Sequence, residues 1–241
     1  MFRTIICFAY VVISKIYLIP FGLIVILGNL LFLRKPMSVF MNWIGIQWSW
    51  IMIKLAGCKV TVSGRENIPR KGGVCFASNH DSIADIVMFL RYSSRLAGFI
   101  AKKELLFVPL VNFWVYAVGG KFINRKNPRK ALKTINKGID HIKSGGAMIV
   151  FPEGSRSRGR GLLPFQPGSL KLATQSKAVI VPVALKGTYE IFEKTGRVRP
   201  VQVKVSFCKP IPTADIPMSD RKQVLCDKVH GAIKEALEAC Q

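Results

Sequence analysis

From Gly57 onward the chain alternates between short apolar runs and stretches with helical periodicity. The runs that read as strands are 58–63, 73–78, 97–101, 115–123, 147–151, 178–185 and 201–207, and those that read as helices are 83–92, 128–143, 168–176 and 219–239. The last helix has the clearest pattern: Leu225, Val229, Ile233, Ala236 and Leu237 recur on one face, and Ser219 or Asp220 can cap its start. Alternation of this kind predicts an α/β fold, a mixed and largely parallel sheet covered by helices. Within the run Ile180–Ala184, Pro182 implies an edge position or a bulge, because proline cannot donate to a ladder. In such folds ligands bind beyond the carboxyl ends of the strands, so side chains that directly follow a strand are the ones to examine for chemistry.

Residues 1–56 are different. Positions 4–33 are almost wholly apolar, interrupted by Lys15 and by Pro20-Phe21-Gly22, and the 18 residues from Ile16 to Leu33 carry no charge. That length only just reaches a membrane span. No small-residue cleavage site follows, which argues against a signal peptide. A second uncharged run, Pro36 to Ile53, is less apolar and contains Trp43, Trp48 and Trp50, a residue type that concentrates at the headgroup level. The segment 1–56 therefore reads as a two-helix hairpin anchored in one leaflet, with a pair of spanning helices as the alternative. Residues 57–241 then form the α/β domain on one side of the membrane.

The net charge of +23 calls for an anionic partner. The apolar N-terminus favours an anionic bilayer over nucleic acid, and the basic residues that follow favour the cytoplasmic face. The six cysteines, at 7, 58, 75, 208, 226 and 240, form no close pair of the metal-binding or redox kind. The three histidines are scattered and no His-Glu-x-x-His occurs, so no metal and no cofactor are expected.

Two strand ends carry the chemistry. The first is Ser78-Asn79-His80-Asp81-Ser82-Ile83-Ala84-Asp85, after the apolar run Gly73–Ala77. Five residues along one helix is a rotation of about 140°, so His80 and Asp85 cannot share a helical face. They meet if His80 lies in the turn and Asp85 in the first turn of the next helix, and a histidine so gripped is equipped as a general base. Ser82-x-x-Asp85 also fits a capping box, and the two readings are compatible. Ser82 lacks a nucleophile-elbow pattern and reads as a cap; His141 and His230 read as surface residues. The second strand end is Phe151-Pro-Glu153-Gly154-Ser155-Arg156-Ser157-Arg158. Gly154 permits close backbone approach, Arg156 can grip a phosphate with two N–H groups, and Ser155 can complete a cradle. Glu153 either orients Arg156 or accepts a bond from a substrate hydroxyl. Lys102 and Arg125 also follow predicted strands, so with Arg156 they can surround one anion.

Asn79-His80-x4-Asp85 followed by Phe151-Pro-Glu-Gly-Ser-Arg156 resembles the glycerophospholipid acyltransferase family. Gly119–Arg125 and Val181-Pro182-Val183 add two further blocks in family order, and the likeness covers about residues 58–210. Ser155 stands where threonine is common, and Asn124 replaces a frequent aspartate. The resemblance implies acyl transfer from acyl-CoA or acyl-carrier protein to the sn-2 hydroxyl of lysophosphatidic acid at a membrane, without a covalent acyl-enzyme. It implies His80 as base, Asp85 as its support, and Arg156, with Arg125 and Lys102, on the substrate phosphate. A backbone N–H is the default oxyanion donor. Another lyso-lipid acceptor, such as lyso-ornithine lipid, fits the same chemistry. A non-catalytic basic membrane-surface or nucleic-acid-binding protein explains the charge but not the two blocks.

Overall fold

The computed structural model describes residues 1–109, 111–166, 168–214 and 223–239. Three helices come first: α1 (Phe2–Tyr17), α2 (Ile19–Leu30) and α3 (Arg34–Ala56). Then follow β1 (Lys59–Ser63), β2 (Val74–Ser78), α4 (Ala84–Tyr92), β3 (Ala97–Lys102), α5 (Val111–Ala117), β4 (Lys121–Ile123), α6 (Pro128–Lys143) and β5 (Ala147–Val150). The chain ends with α7 (Lys171–Ser176), β6 (Val179–Lys186), α8 (Thr188–Ile191), β7 (Gln202–Phe207) and α9 (Gln223–Glu238). The expected caps of the last helix, Ser219 and Asp220, lie outside the described residues.

The seven strands form one sheet in the order β1-β7-β6-β2-β5-β3-β4. All neighbours are parallel except β6 and β7, so the sheet is mixed and largely parallel as expected. The chain leaves β2 for β3 and β4, then returns to lay β5 between β2 and β3, and finally adds β6 on the other side of β2. The carboxyl ends of β2, β5 and β6 are thereby brought side by side.

Alternating side chains of these strands feed two cores, as period-two geometry requires. Phe76, Ile149, Val181 and Val183 pack on one face with Met88 and Phe89 of α4 and Ile53 of α3. Cys75, Ala77, Met148 and Ile180 pack on the other with Ile139 and Ile142 of α6 and Leu172 of α7. Leu225, Val229 and Ile233 of α9 join that second core at full burial, with Ala236 and Leu237 packed beside them. The helix α6 starts where its sequence signals it: the Asn127 side chain accepts from the Lys130 amide at 3.0 Å, and Pro128 opens the first turn.

Two expectations need correction. The run 115–123 is not one strand. Residues Val111–Ala117 form α5, and only Lys121–Ile123 is extended. The Trp114 indole donates to the Lys15 carbonyl at 3.3 Å, and a Cβ on Gly22 of α2 would meet the Phe113 ring at 2.4 Å. Packing on the N-terminal helices thus overrides the β-propensity of this aromatic, β-branched segment. Pro182 does not lie at an edge: β6 is an interior strand between β2 and β7. The alternative, a bulge, describes its partner. The β6–β7 register runs from Val183↔Phe207, yet the bridge below it is Ile180↔Ile211, one residue out of step. Pro182 pairs with Cys208, whose amide donates to the proline carbonyl at 2.9 Å, so Lys209 and Pro210 together face Val181 and the bulge begins directly beside the missing N–H of Pro182.

The first arm of the N-terminal hairpin is itself two helices, bent by 47° beside Pro20. No single helix among the described residues is long and apolar enough to cross a membrane; the bent pair α1–α2 passes by length and composition together. Phe2, Ile13, Ile24, Leu27 and Leu30 are exposed along α1 and α2, and so are Trp43 and Trp50 on α3. Trp48 turns inward instead, donating to the Ser14 hydroxyl at 2.8 Å.

Gly187 turns the chain from β6 into α8 at φ +89°, where a Cβ would lie 2.5 Å from the Gln202 carbonyl oxygen. Gly187→Ala therefore meets both backbone strain and a clash, expected to destabilise by about 1–3 kcal/mol. Thermal unfolding checks this at roughly 2–4 °C per kcal/mol; an unchanged midpoint would show that the turn relaxes freely.

Candidate active site

The turn after β2 is built from backbone amides held by side chains. Asp85, fully buried in the first turn of α4, accepts with Oδ2 from His80 Nδ1 at 2.7 Å, from the Asp81 amide at 2.9 Å and from the Ser82 amide at 3.0 Å. The bond to Ser82 is the reciprocal half of a capping box, so Asp85 both caps the helix and grips the imidazole. The Ser82 hydroxyl oxygen accepts from the Ala84 amide at 3.0 Å, which leaves it in a capping role. Two backbone amides donate to Oδ2 and mark it as the accepting oxygen. The contact with His80 is then a hydrogen bond from Nδ1–H, the tautomer of the neutral imidazole that leaves the lone pair on Nε2. The Phe151 ring stacks on the imidazole at 3.9 Å between centroids and fixes its plane, while a fifth of the His80 side chain stays exposed.

The second strand end is stitched to the first. Glu153 is buried, and its two oxygens accept from the amides of His80 at 2.7 Å and Leu163 at 3.1 Å. Burial pushes the Glu153 carboxyl up from the usual range, partly offset by those two amides. The Ser157 amide donates to the His80 carbonyl at 2.7 Å, and Asp81 accepts from the Ser157 hydroxyl and the Gly159 amide, each at 2.7 Å. Gly154 sits at φ +74° in the turn, a conformation glycine adopts without strain. Its carbonyl accepts from Arg125 Nη1 at 2.8 Å. Arg156, beside Ser157, pairs through Nη1 with Glu193 Oε1, and Glu193 Oε2 accepts from the Ile83 amide at 3.3 Å. On the other side of β2, the Asn79 side chain exchanges two 2.8 Å bonds with the Leu185 backbone and extends the β2–β6 ladder.

Of the residues singled out from sequence, His80, Asp85, Glu153, Gly154, Arg156 and Arg125 are thus linked in one network. Ser155 is exposed in the same turn. Lys102 is exposed at the end of β3, and among the described residues no hydrogen bond or ion pair joins it to the others. His230 is half-buried against the Phe165 ring, and His141 is half-buried beside Gly146 rather than at the surface. Asn79, Asp81, Phe151 and Ser157 stand in the two sequence blocks but had no role assigned to them, and Glu193 was not singled out at all. Asn79 and Asp81 flank the histidine, and Phe151 and Ser157 lie in the second block, so proximity was the one available signal; Glu193 had none.

The amides of residues 80–84 are all committed: to Glu153, to Asp85 twice, to Glu193 and to the Ser82 hydroxyl. None of these five is free to serve as the expected oxyanion donor. What the turn provides is an imidazole fixed by Asp85 and Phe151, and a guanidinium tied through Glu193 to the Ile83 amide of the same turn, groups suited to taking a proton from a hydroxyl and to holding an anion.

Glu153→Gln sets an NH2 against one of two amide N–H groups. The expected loss is about 1–3 kcal/mol of stability, read as a lower thermal midpoint, together with reduced turnover because the His80 backbone loses its tie. An unaltered midpoint with unaltered turnover would show that the bridge holds neither.

A family model described as Acyltransferase matches residues 59–186. A 1-acyl-sn-glycerol-3-phosphate acyltransferase of Limnanthes douglasii is 34% identical over 221 residues, covering 89% of this chain and 74% of that protein. Proteins of the same name from Borreliella burgdorferi and Saccharomyces cerevisiae are 36% and 33% identical, over 60% and 82% of this chain. The matches span 58% and 66% of those two proteins' own lengths. The crystal structure of the 1-acyl-sn-glycerophosphate (LPA) acyltransferase PlsC from Thermotoga maritima superposes with a TM-score of 0.82 at 25% identity, covering 99% of this chain and 96% of that one.

Proposed function

The chain belongs to the acyltransferase family, and we propose that it transfers a fatty acyl group from an acyl thioester, acyl-CoA or acyl-carrier protein, to the sn-2 hydroxyl of lysophosphatidic acid. The product is phosphatidic acid. The observation that carries this reading is the 2.7 Å contact of His80 Nδ1 with Asp85, in a turn bonded directly to the loop of Arg156. The names and coverage of the relatives in the family support the acceptor.

In the proposed reaction His80 Nε2 takes the hydroxyl proton as the oxygen bonds to the thioester carbonyl carbon. Asp85 stabilises the imidazolium that forms. When the tetrahedral intermediate collapses the carbon–sulfur bond breaks, and the thiolate leaves readily because its conjugate thiol has a pKa near 8.5. The imidazolium then returns its proton to the sulfur. Arg156 grips the acceptor phosphate and so sets the hydroxyl against the imidazole; such positioning supplies much of the rate in group transfer. Arg125, through Gly154, shapes the loop that presents Arg156, and Lys102 attracts the anionic substrates. Glu153 acts as a strut beneath His80.

The acceptor and product are lipids. The exposed apolar side chains of α1 and α2, with Trp43 and Trp50, support a reading of residues 1–56 as an anchor in one leaflet. Ile83, three residues after His80, adds an exposed apolar side chain on the same turn. The net charge of +23 supports a cytoplasmic face with anionic lipid.

His80→Ala is expected to lower acyl transfer by about 10²- to 10⁴-fold, the range of general-base catalysis, while vesicle binding persists. Transfer at the parent rate would remove the mechanism. Arg156→Ala is expected to raise KM for lysophosphatidic acid by about 10- to 100-fold, as for a lost hydrogen bond to a charged group. With a monoacylglycerol acceptor, which has no phosphate, the same variant is expected to match the parent; an equal loss there would contradict the clamp.

A further inference from the structure

The ion pair between Arg156 and Glu193 is unusual for where it lies. Only 13 residues of the 241 are acidic, against 36 basic ones, yet one carboxylate faces the arginine assigned to an anion. A carboxylate there does one of two things: it competes with the phosphate for the guanidinium, or it holds the guanidinium ready. The geometry favours the second. Arginine has five N–H donors in a rigid plane, and the pair is made through Nη1, so that among the described residues Nε and Nη2 carry no partner and are open to a ligand. Glu193 is itself held, because its second oxygen accepts from the Ile83 amide at 3.3 Å. A competitor that must swing away would gain nothing from such a tie.

The segment that carries Glu193 is also fixed on both sides. The Phe192 ring packs edge-on against Phe8 of α1, with centroids 5.5 Å apart. The Arg199 amide donates to the Ile191 carbonyl at 2.9 Å, and the Val198 amide donates to the Thr4 hydroxyl at 2.9 Å. The backbone around Arg156 is held by the Ser157–His80 and Arg125–Gly154 bonds, but among the described residues Glu193 is the one hydrogen-bond partner of its side chain, which stands between exposed Ser155 and buried Ser157. A long side chain on a turn loses rotamer freedom when it binds a ligand, and a fixed carboxylate removes that loss in advance.

We propose that Glu193 is a positioning residue for the acceptor's phosphate: it orients the Arg156 guanidinium and ties it, through Ile83, to the turn that carries His80. This rests on the clamp reading of Arg156. The test measures KM and kcat for lysophosphatidic acid and for monoacylglycerol, in the full chain, for Glu193→Ala, Glu193→Gln, Arg156→Ala and the Arg156→Ala/Glu193→Ala double variant, with thermal unfolding of each. Glu193→Ala is expected to raise KM for lysophosphatidic acid by about 3- to 10-fold, the range for one side chain that must be ordered on binding. The larger part of the loss falls in KM rather than kcat. Glu193→Gln keeps one oxygen for the guanidinium and is expected to recover most of that loss. In the Arg156→Ala background Glu193→Ala is expected to add nothing, since there is no guanidinium left to orient. A lower KM in Glu193→Ala would identify the carboxylate as a competitor and overturn the proposal. So would a KM effect that persists without Arg156 or equals that seen with monoacylglycerol. A parent-like KM in Arg156→Ala alone removes the clamp itself, whereas a raised KM there with no effect of Glu193→Ala removes only the role given to Glu193.

Discussion

The parallel pairing of β2 with β5, in the register Ala77↔Val150, is the constraint from which the site follows. Both strands are buried along their whole length, so neither can slip without exposing apolar surface on both faces. Because they run the same way and end at the same level, the three residues beyond each end arrive at one edge of the sheet. His80 and Glu153, 73 positions apart in the chain, then meet at 2.7 Å. β6 on the far side of β2 adds the Asn79–Leu185 exchange, and the short helix after it delivers Glu193. A sheet edge made of three parallel strand ends is the usual location for a site in an α/β fold, and here the chain reverses its strand order at that point.

The turn after β2 is organised by carboxylates on backbone amides, which sets it apart from a loop that waits to be ordered by substrate. Asp85, Glu153 and Glu193 hold four of five consecutive N–H groups between them. Each such bond to a charged acceptor is worth roughly 1.5–3 kcal/mol net. Together they fix the imidazole before substrate arrives, so that in the proposed reaction little reorganisation accompanies proton transfer. The cost is that these amides are unavailable for the oxyanion of the proposed reaction, which would draw on donors outside residues 80–84.

Much of this was legible in the sequence. The alternation after Gly57 gave the fold class, because a buried parallel strand leaves a continuous apolar run and a covering helix leaves a 3.6-residue stripe. Helix α6 was bounded correctly because Asn127-Pro128 is a strong local start signal and its periodicity is unbroken. His80 and Asp85 were placed together because their spacing fits only a turn followed by a helix. The failures have a common cause in contacts distant along the chain. Phe113 and Trp114 look like strand residues until α2 and Lys15 are packed against them. Pro182 looks like an edge residue until the one-residue offset of its antiparallel neighbour is seen. Glu193 lies 37 positions from Arg156 in an unremarkable polar stretch, and nothing local marks it.

The most direct test is a structure with lysophosphatidic acid bound. The acceptor phosphate is expected within hydrogen-bonding distance of Arg156 and the free hydroxyl about 2.6–3.2 Å from His80 Nε2, with the acyl chain leading toward the exposed apolar face of α1 and α2. A phosphate bound away from Arg156, or a hydroxyl that cannot reach the imidazole from that pose, would contradict the proposed reaction.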